Sequence, residues 1–178
     1  MSTAASPPRS DGFGGAAVVM GVTGCGKTTI GEALAARLGL PFLEGDRLHP
    51  AANITKMSAG TPLTDEDRWP WLGEIGARLA GSSGIIASCS ALKHDYRRRL
   101  AEAAKRPVFF VFLDGSRELL EARVRQRPGH FMPPALLGSQ LSTLERPGND
   151  ESAIAIDIAL PADEIAARAV AFLTGDER

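Results

Sequence analysis

Apolar residues follow two patterns along this chain, short unbroken runs and repeats spaced by about four positions. The runs predict buried strands, and the four-residue repeat of Ile30, Leu34 and Leu38 is typical of one face of a helix. Strands are predicted at 16–20, 41–43, 85–87, 108–113 and 154–158, and helices within 30–38, 50–60, 69–79, 92–100, 116–127 and 161–173. Strands that alternate with helices in this way predict an α/β fold, with a five-stranded parallel sheet covered by helices on both faces.

Composition and charge limit the kinds of protein that this sequence encodes. Its 178 residues, 44% of them apolar, suit a single domain, and 20 Lys and Arg against 21 Asp and Glu argue against nucleic-acid binding through bulk charge. Cys25 and Cys89 are too few for a disulfide framework, and no apolar stretch is long enough to cross a membrane, so we expect a cytoplasmic protein. Residues 1–15 lack apolar periodicity and are predicted to be a disordered leader before a domain at 16–178.

The sequence at 21–28, GVTGCGKT, matches the phosphate-binding pattern G-x-x-x-x-G-K-[ST] in full. Its glycines let main-chain N–H groups converge on phosphate oxygens, Lys27 brings a positive charge to the β- and γ-phosphates, and the Thr28 hydroxyl can ligate Mg²⁺. A glycine-rich turn without a ligand is the alternative, but the position between a predicted strand and a predicted helix favours a nucleoside triphosphate site. The predicted nucleotide-binding residues are Gly21, Val22, Thr23, Gly24, Cys25, Gly26, Lys27, Thr28 and Thr29.

The chain has no acid at the end of its third predicted strand, where Ser88, Cys89 and Ser90 stand. It also lacks the N-K-x-D motif of GTPases and the L-S-G-G-Q motif of transporter ATPases. Glu44 and Asp46, two positions apart after the second strand, would point the same way on an extended chain. One carboxylate would then support Mg²⁺ while the other deprotonates an acceptor hydroxyl, as suits a small-molecule kinase; the alternative is that both are solvated loop acids.

Several segments together resemble the gluconokinases of the shikimate-kinase-like P-loop group. The resemblance covers nearly the whole domain, and its most specific parts are GDRLHP at 45–50 and CSALK at 89–93. The other matching segments are GVTGCGKT at 21–28, NITKM at 53–57, GTPLTDEDR at 60–68, WL at 71–72, YR at 96–97, GHFM at 129–132 and LERPG at 144–148.

This resemblance implies ATP-dependent phosphorylation of D-gluconate at its 6-hydroxyl, with ATP and Mg²⁺ as cofactors and 6-phosphogluconate and ADP as products. It also implies the P-loop NTP hydrolase fold with strand order 2-3-1-4-5, a flexible lid at about 128–140 and a homodimer. Shikimate kinases carry an acid-x-acid at the place of Glu44 and Asp46. The match therefore implies Asp46 as the base that contacts the acceptor hydroxyl, and Glu44 with Thr28 on the metal side.

Gluconate is a linear polyol with a carboxylate, so its site needs hydrogen-bonding groups and a cation. Arg68 is the first candidate for the carboxylate, because a guanidinium binds a carboxylate bidentately; the alternative is an ion pair with the acids that precede it. Lys93 follows the third strand and is a further candidate, unless it is a solvated lysine. His49 either hydrogen-bonds the polyol or braces the turn before a proline. Arg97, the first of three consecutive arginines, is the one of them that best matches the family.

Arg123 and Arg127 lie four apart and lead into the predicted lid. Kinases of this group use lid arginines to stabilise charge on the transferring phosphoryl group, and Arg127, beside the predicted hinge, is favoured over Arg123. Two rival functions stay open. One is shikimate kinase or another small-molecule kinase of this fold, although shikimate kinases carry a glycine triplet where this chain has 88–90. The other is a non-catalytic nucleotide-binding protein, which the retention of Lys27 and Asp46 disfavours.

Overall fold

The structure, a computed structural model, describes residues 12–127 and 134–176, and within these ranges the chain forms five strands and seven α-helices. The predicted leader lies outside the described residues over 1–11. A single 3₁₀ turn, Gly45–Leu48, separates β2 from α2. The strands are β1 Ala16–Met20, β2 Phe42–Glu44, β3 Ile85–Ser88, β4 Val108–Asp114 and β5 Ala153–Asp157; the helices are α1 Lys27–Leu38, α2 Ala51–Ser58, α3 Asp65–Ala80, α4 His94–Ala104, α5 Arg117–Gln126, α6 Pro134–Thr143 and α7 Ala162–Thr174.

The strands form one parallel sheet in the order β2-β3-β1-β4-β5, as the family resemblance implied. The central strand β1 is completely buried, and its Val18 lies opposite Ala87 of β3 on one side and Phe110 of β4 on the other. Helices α3 and α4 pack against each other, and α1 packs against α7. Because all strands are parallel, the loops after β1, β2 and β3 emerge at one edge of the sheet, where ligands of such sheets bind.

Local sequence signals explain where several helices begin. The Thr64 hydroxyl accepts the Asp67 N–H at 3.2 Å, and the Asp67 carboxylate accepts the Thr64 N–H at 2.9 Å, which together form a capping box at the start of α3. Ser116 caps α5 by accepting the Leu119 N–H at 3.2 Å. Both caps satisfy main-chain donors that the first helical turn leaves free.

One expectation about local structure is wrong. The chain does not stay extended from Glu44 to Asp46, because the 3₁₀ turn begins at Gly45. The second half of the segment expected as a flexible lid, about 128–140, falls in α6, where Leu136 and Leu137 are buried. Residues 128–133 lie outside the described residues, and movement of this segment as a lid stays a prediction. None of the helices in the described ranges is long and apolar enough to cross a membrane.

Candidate active site

A cleft of about 420 Å³ opens at the carboxyl ends of β1, β2 and β3. Its floor is the phosphate-binding loop after β1, one wall is the turn after β2, and further walls come from α3 and α6. The residues that line it include Thr23, Gly24, Gly26, Lys27, Thr28, Glu44, Asp46, His49, Arg68, Arg127 and Gln140. Predicted nucleotide-binding and acceptor-binding residues therefore meet in one cavity.

The phosphate-binding loop is shaped by its main chain. Gly26 has a φ of +99°, a conformation that favours glycine, and it serves as the N-cap from which α1 begins. The N-terminus of α1 therefore faces the cleft and favours an anion there. Lys27 lines the cleft, and its Nζ donates to the Val22 carbonyl at 3.1 Å. Within the loop, Gly21, Val22 and Cys25 are buried. Thr29, near the start of α1, is exposed.

Glu44 lies between two hydroxyl groups at the edge of the sheet. Its Oε2 accepts the Thr28 hydroxyl at 2.5 Å, and its Oε1 accepts the Ser88 hydroxyl. The sequence analysis noted Ser88 only as a position without an acid. Its role follows from the pairing of β2 with β3, which places Ser88 opposite Glu44. Hydroxyl and carboxylate oxygens are the donors that Mg²⁺ prefers, so the pair of Thr28 and Glu44 fits this ion.

Gly45 fixes the turn that carries the second acid. Its N–H donates to the Ser88 hydroxyl at 3.2 Å, and its carbonyl accepts the Trp71 indole N–H at 2.8 Å. A Cβ at this position would lie 2.0 Å from the Ser88 carbonyl oxygen, far inside van der Waals contact. The chain can therefore approach β3 this closely only without a side chain, and the next residue, Asp46, is directed into the cleft with 63% of its side chain exposed.

His49 is packed beside Asp46. Its ring stacks on Trp71 with 3.9 Å between centroids and 17° between planes, and its Nε2 lies 4.0 Å from Asp46 Oδ1. Only 5% of the His49 side chain is exposed, and this burial lowers its pKa to about 4. Asp46 opposes that shift and Arg68 adds to it, and the imidazole is neutral at physiological pH.

Arg68 is a buried cation on the wall of the cleft, with 9% of the residue exposed. Its guanidinium lies 5.3 Å from the centroid of the Tyr96 ring, and its Nη2 is 3.5 Å from the Leu63 carbonyl. Among the residues that the structure describes, the buried Nε of Arg68 has no hydrogen-bond partner. A desolvated guanidinium with a free N–H is suited to bind an anionic group.

Two of the three acids before Arg68 have other partners, and among the described residues no carboxylate forms an ion pair with Arg68. Asp65 accepts the Tyr96 hydroxyl and pairs with Lys93 at 2.9 Å. The hydrogen bond from Tyr96, followed by that from Lys93, holds the Asp65 pKa below its usual range. Asp67 pairs with Lys56 at 2.7 Å. These pairs leave the Arg68 guanidinium facing the cleft.

The two arginines of α5 have different surroundings. Arg123 Nη2 donates to the Ile158 carbonyl at 2.8 Å and its Nη1 lies 3.5 Å from the Cys25 carbonyl, so it braces the phosphate-binding loop from behind. Arg127 ends α5, is exposed and lines the cleft. Of the two, Arg127 is therefore the one placed to reach a phosphoryl group.

Burial raises the thiol pKa of Cys25, and it raises that of Cys89 to about 12, so both stay protonated.

Gln140 is a cleft residue that the sequence analysis missed. It lies on α6, and its Oε1 accepts the main-chain N–H of Thr23 at 2.7 Å, which ties α6 to the phosphate-binding loop. The apolar spacing of Leu137 and Leu141 was an available signal for this helix.

Comparison with known proteins identifies the family. The family described as an AAA domain matches residues 17–147. The gluconokinase of Gluconobacter oxydans is 50% identical over 143 residues, which cover 78% of this chain and 80% of that protein. The thermosensitive gluconokinase of Escherichia coli is 49% identical over 147 residues, covering 79% and 78%. This chain belongs to the gluconokinase family.

Solved structures agree with this membership of the gluconokinase family. The crystal structure of a gluconokinase from Sinorhizobium meliloti superimposes with a TM-score of 0.84 at 53% identity and covers 90% of this chain and 92% of that one. The APS kinase CysC of Mycobacterium tuberculosis, in complex with AMPPNP and APS, gives a TM-score of 0.63 at 19% identity, covering 94% and 99%. The latter likeness concerns the fold alone.

Two predicted substrate contacts of this gluconokinase-family chain lie elsewhere. Lys93 is held by Asp65, and Arg97, with 1% of its side chain exposed, pairs with Glu151 at 2.5 and 3.0 Å. Arg97 Nη1 also donates to the carbonyls of Ala91 and of residue 145 at 2.9 and 3.1 Å. Among the described residues that line the cleft, neither cation is present. In each case a carboxylate remote in sequence pairs with the cation.

Proposed function

We propose that this protein transfers the γ-phosphoryl group of ATP to the 6-hydroxyl of D-gluconate and releases ADP and 6-phosphogluconate. One cleft brings together a triphosphate-binding loop, the Asp46 carboxylate and the buried guanidinium of Arg68, and this juxtaposition supports the proposal. The chemistry needs these three parts: an anion cradle, a base and a cation for the acceptor's carboxylate. The relatives named gluconokinases give the acceptor its identity.

On the nucleotide side, the main-chain N–H groups of residues 24–28 and the Lys27 ammonium bind the β- and γ-phosphates. Thr28 and Glu44 would hold Mg²⁺, with the hydroxyl as a ligand and the carboxylate as its support. Such an ion supplies positive charge that offsets the charge of the phosphates. Arg127, at the end of α5, adds a guanidinium that stabilises charge on the transferring phosphoryl group.

On the acceptor side, Arg68 binds the gluconate carboxylate and His49 donates a hydrogen bond to the polyol. Asp46 accepts the proton of the 6-hydroxyl as the oxygen of that hydroxyl forms a bond to the γ-phosphorus. The bond between this phosphorus and the bridging oxygen of ADP breaks, and ADP leaves with that electron pair. Lys93 and Arg97 take no part in this scheme.

The test is an assay of ADP release with gluconate, with shikimate and with no acceptor. We expect turnover with gluconate only, and Asp46→Asn should bind ATP normally while losing about 10²-fold to 10⁴-fold of the rate, as for a general base. Asp95→Asn, at an exposed surface pair with Arg98, is the matched control and should keep full activity. Turnover with shikimate alone, or with water alone, would overturn the assignment of gluconate.

A homodimer in the cytoplasm and a disordered leader stay predictions of the sequence. Light scattering of the purified protein tests the first, since a dimer has twice the mass of the 18.8 kDa chain. A monomer at micromolar concentration would contradict it.

A further inference from the structure

Asn53 is a buried polar residue of α2 that no step described above uses; only 3% of it is exposed. Its side-chain nitrogen, Nδ2, donates to the Asp67 carbonyl at 2.9 Å and lies 3.3 Å from Nδ1 of His49. A carbonyl oxygen only accepts, so the amide nitrogen of Asn53, not its oxygen, must face it. The orientation of the Asn53 amide is therefore determined by its surroundings.

That orientation determines the protonation of the His49 ring. An amide nitrogen carries two N–H groups and accepts nothing, so one of them serves the Asp67 carbonyl and the other serves Nδ1 of His49. A ring nitrogen that accepts carries no proton. In a neutral imidazole the proton must then sit on Nε2, the atom that lies 4.0 Å from Asp46 Oδ1.

We propose that Asn53 is a positioning residue that holds the His49 ring in its Nε2–H form, so that the ring presents a hydrogen-bond donor beside Asp46 to the acceptor's hydroxyls. Only the identity of that acceptor rests on the proposed function; the form of the ring does not. This donor selects an acceptor that offers a hydroxyl oxygen beside Asp46.

Independent contacts hold the ring in place. Stacking on Trp71, whose own N–H is fixed by the Gly45 carbonyl, sets the plane of the imidazole. The charged groups that face the ring are Asp46 from the 3₁₀ turn and Arg68 from α3, and they act in opposite directions on its pKa. Burial decides the balance and lowers that pKa, so the ring stays neutral and keeps one donor and one acceptor.

The direct test is the ¹⁵N NMR spectrum of the imidazole nitrogens between pH 6 and 8, with the resonances assigned by comparison with His49→Gln. We expect the wild-type protein to show a single form protonated at Nε2, and Asn53→Ala to show a mixture of both neutral forms. A wild-type ring protonated at Nδ1, or at both nitrogens at pH 7, would overturn the inference. The measurement needs no substrate.

The kinetic test compares two amides at position 49. A glutamine places its amide nitrogen near the position of Nε2, whereas an asparagine reaches only to that of Nδ1. His49→Gln should therefore keep the acceptor KM within about threefold, and His49→Asn should raise it about tenfold, the effect of one lost hydrogen bond. If the substitutions acted only through lost packing on Trp71, the acceptor KM and the stability would change together, in the order of side-chain size. Equal acceptor KM values in the two variants would contradict the proposal.

Asn53→Ala completes the test with Thr55→Ala as its control on the exposed side of α2. We expect Asn53→Ala to raise the acceptor KM about tenfold and leave the ATP KM unchanged, with no effect of Thr55→Ala. An unchanged acceptor KM in folded Asn53→Ala would overturn the positioning role. If gluconate is not the acceptor but the spectrum shows the Nε2–H form, the proposed function fails and this inference stands. If gluconate is the acceptor but the ring is protonated at Nδ1, this inference fails and the proposed function stands.

Discussion

The two halves of the cleft are built from different parts of the protein. The nucleotide half is one continuous segment, 21–28, whose main chain does most of the binding and whose conformation is set by glycines such as Gly26. The acceptor half takes Asp46, His49 and Arg68 from a turn, a loop and a helix, and binds through side chains. A main-chain site needs few supports, because a helix and a strand already hold it.

A side-chain site needs a support for each of its groups. Ser88 orients Glu44, Trp71 and Asn53 hold His49, and the pairing of neighbouring acids with Lys93 and Lys56 leaves Arg68 facing the cleft. Among the described residues that line the cleft, none of these supports is present. The difference predicts that changes in the nucleotide half lower turnover, whereas changes at His49 and Arg68 in the acceptor half act selectively on acceptor binding.

Lys27→Ala should have the largest effect, a loss of about 10³-fold in kcat, because it removes the charge that neutralises the transferring phosphoryl group. Initial rates at saturating ATP and gluconate measure it, and calorimetry should show that gluconate still binds. Lys105→Ala, at the far end of α4, is the control. Loss of gluconate binding in Lys27→Ala would show that the two halves are not independent.

Arg68→Gln should have the next largest effect, raising the gluconate KM about 10²-fold while the ATP KM stays unchanged, because the acceptor's carboxylate loses its cation. Arg97→Gln is the matched contrast: it strands buried Glu151 and should lower the free energy of unfolding by about 3 kcal/mol or more without changing either KM. Denaturant unfolding and steady-state kinetics distinguish the two. A gluconate KM raised equally by both substitutions would mean that Arg68 acts through stability alone.

Gln140→Ala should have the smallest effect, a loss of about fivefold in kcat/KM, because one hydrogen bond between α6 and the Thr23 amide is removed. Since Gln140 ties α6, a wall of the cleft, to the phosphate-binding loop, the loss should appear for both ATP and gluconate when each is varied in turn. Ser142→Ala, exposed on the same helix, is the control. A change for one substrate only would place Gln140 in that half of the cleft.

The same division explains how much was predictable from the sequence. The phosphate-binding loop and the parallel α/β fold could be predicted, because a contiguous motif and a hydrophobic pattern specify them, whereas the order of the strands came from the family resemblance. Asp46 and Glu44 were predicted as a pair, but on an extended chain that the 3₁₀ turn replaces. Their shared cleft comes from the contact of this turn with β3 and Trp71, which no local pattern encodes.

The two candidate cations that lie outside the cleft, Lys93 and Arg97, are held by partners that are distant along the chain. Arg97 and Glu151 are 54 positions apart, and Lys93 and Asp65 are 28 apart, so their pairing is a property of the folded chain. Gln140 meets Thr23 across 117 positions. The three cations predicted to bind the acceptor therefore differ. Arg68 faces the cleft, whereas Lys93 and Arg97 hold the structure together.

Gly45 has a consequence for how this protein can vary in evolution. Any side chain there would collide with the main chain of β3, which would dislodge Glu44 on one side of it and Asp46 on the other. Selection on phosphoryl transfer therefore falls on a position that has no functional group to lose. Glu44 and Asp46, which do different chemistry, therefore both depend on a glycine between them, because there is no room for a Cβ at position 45.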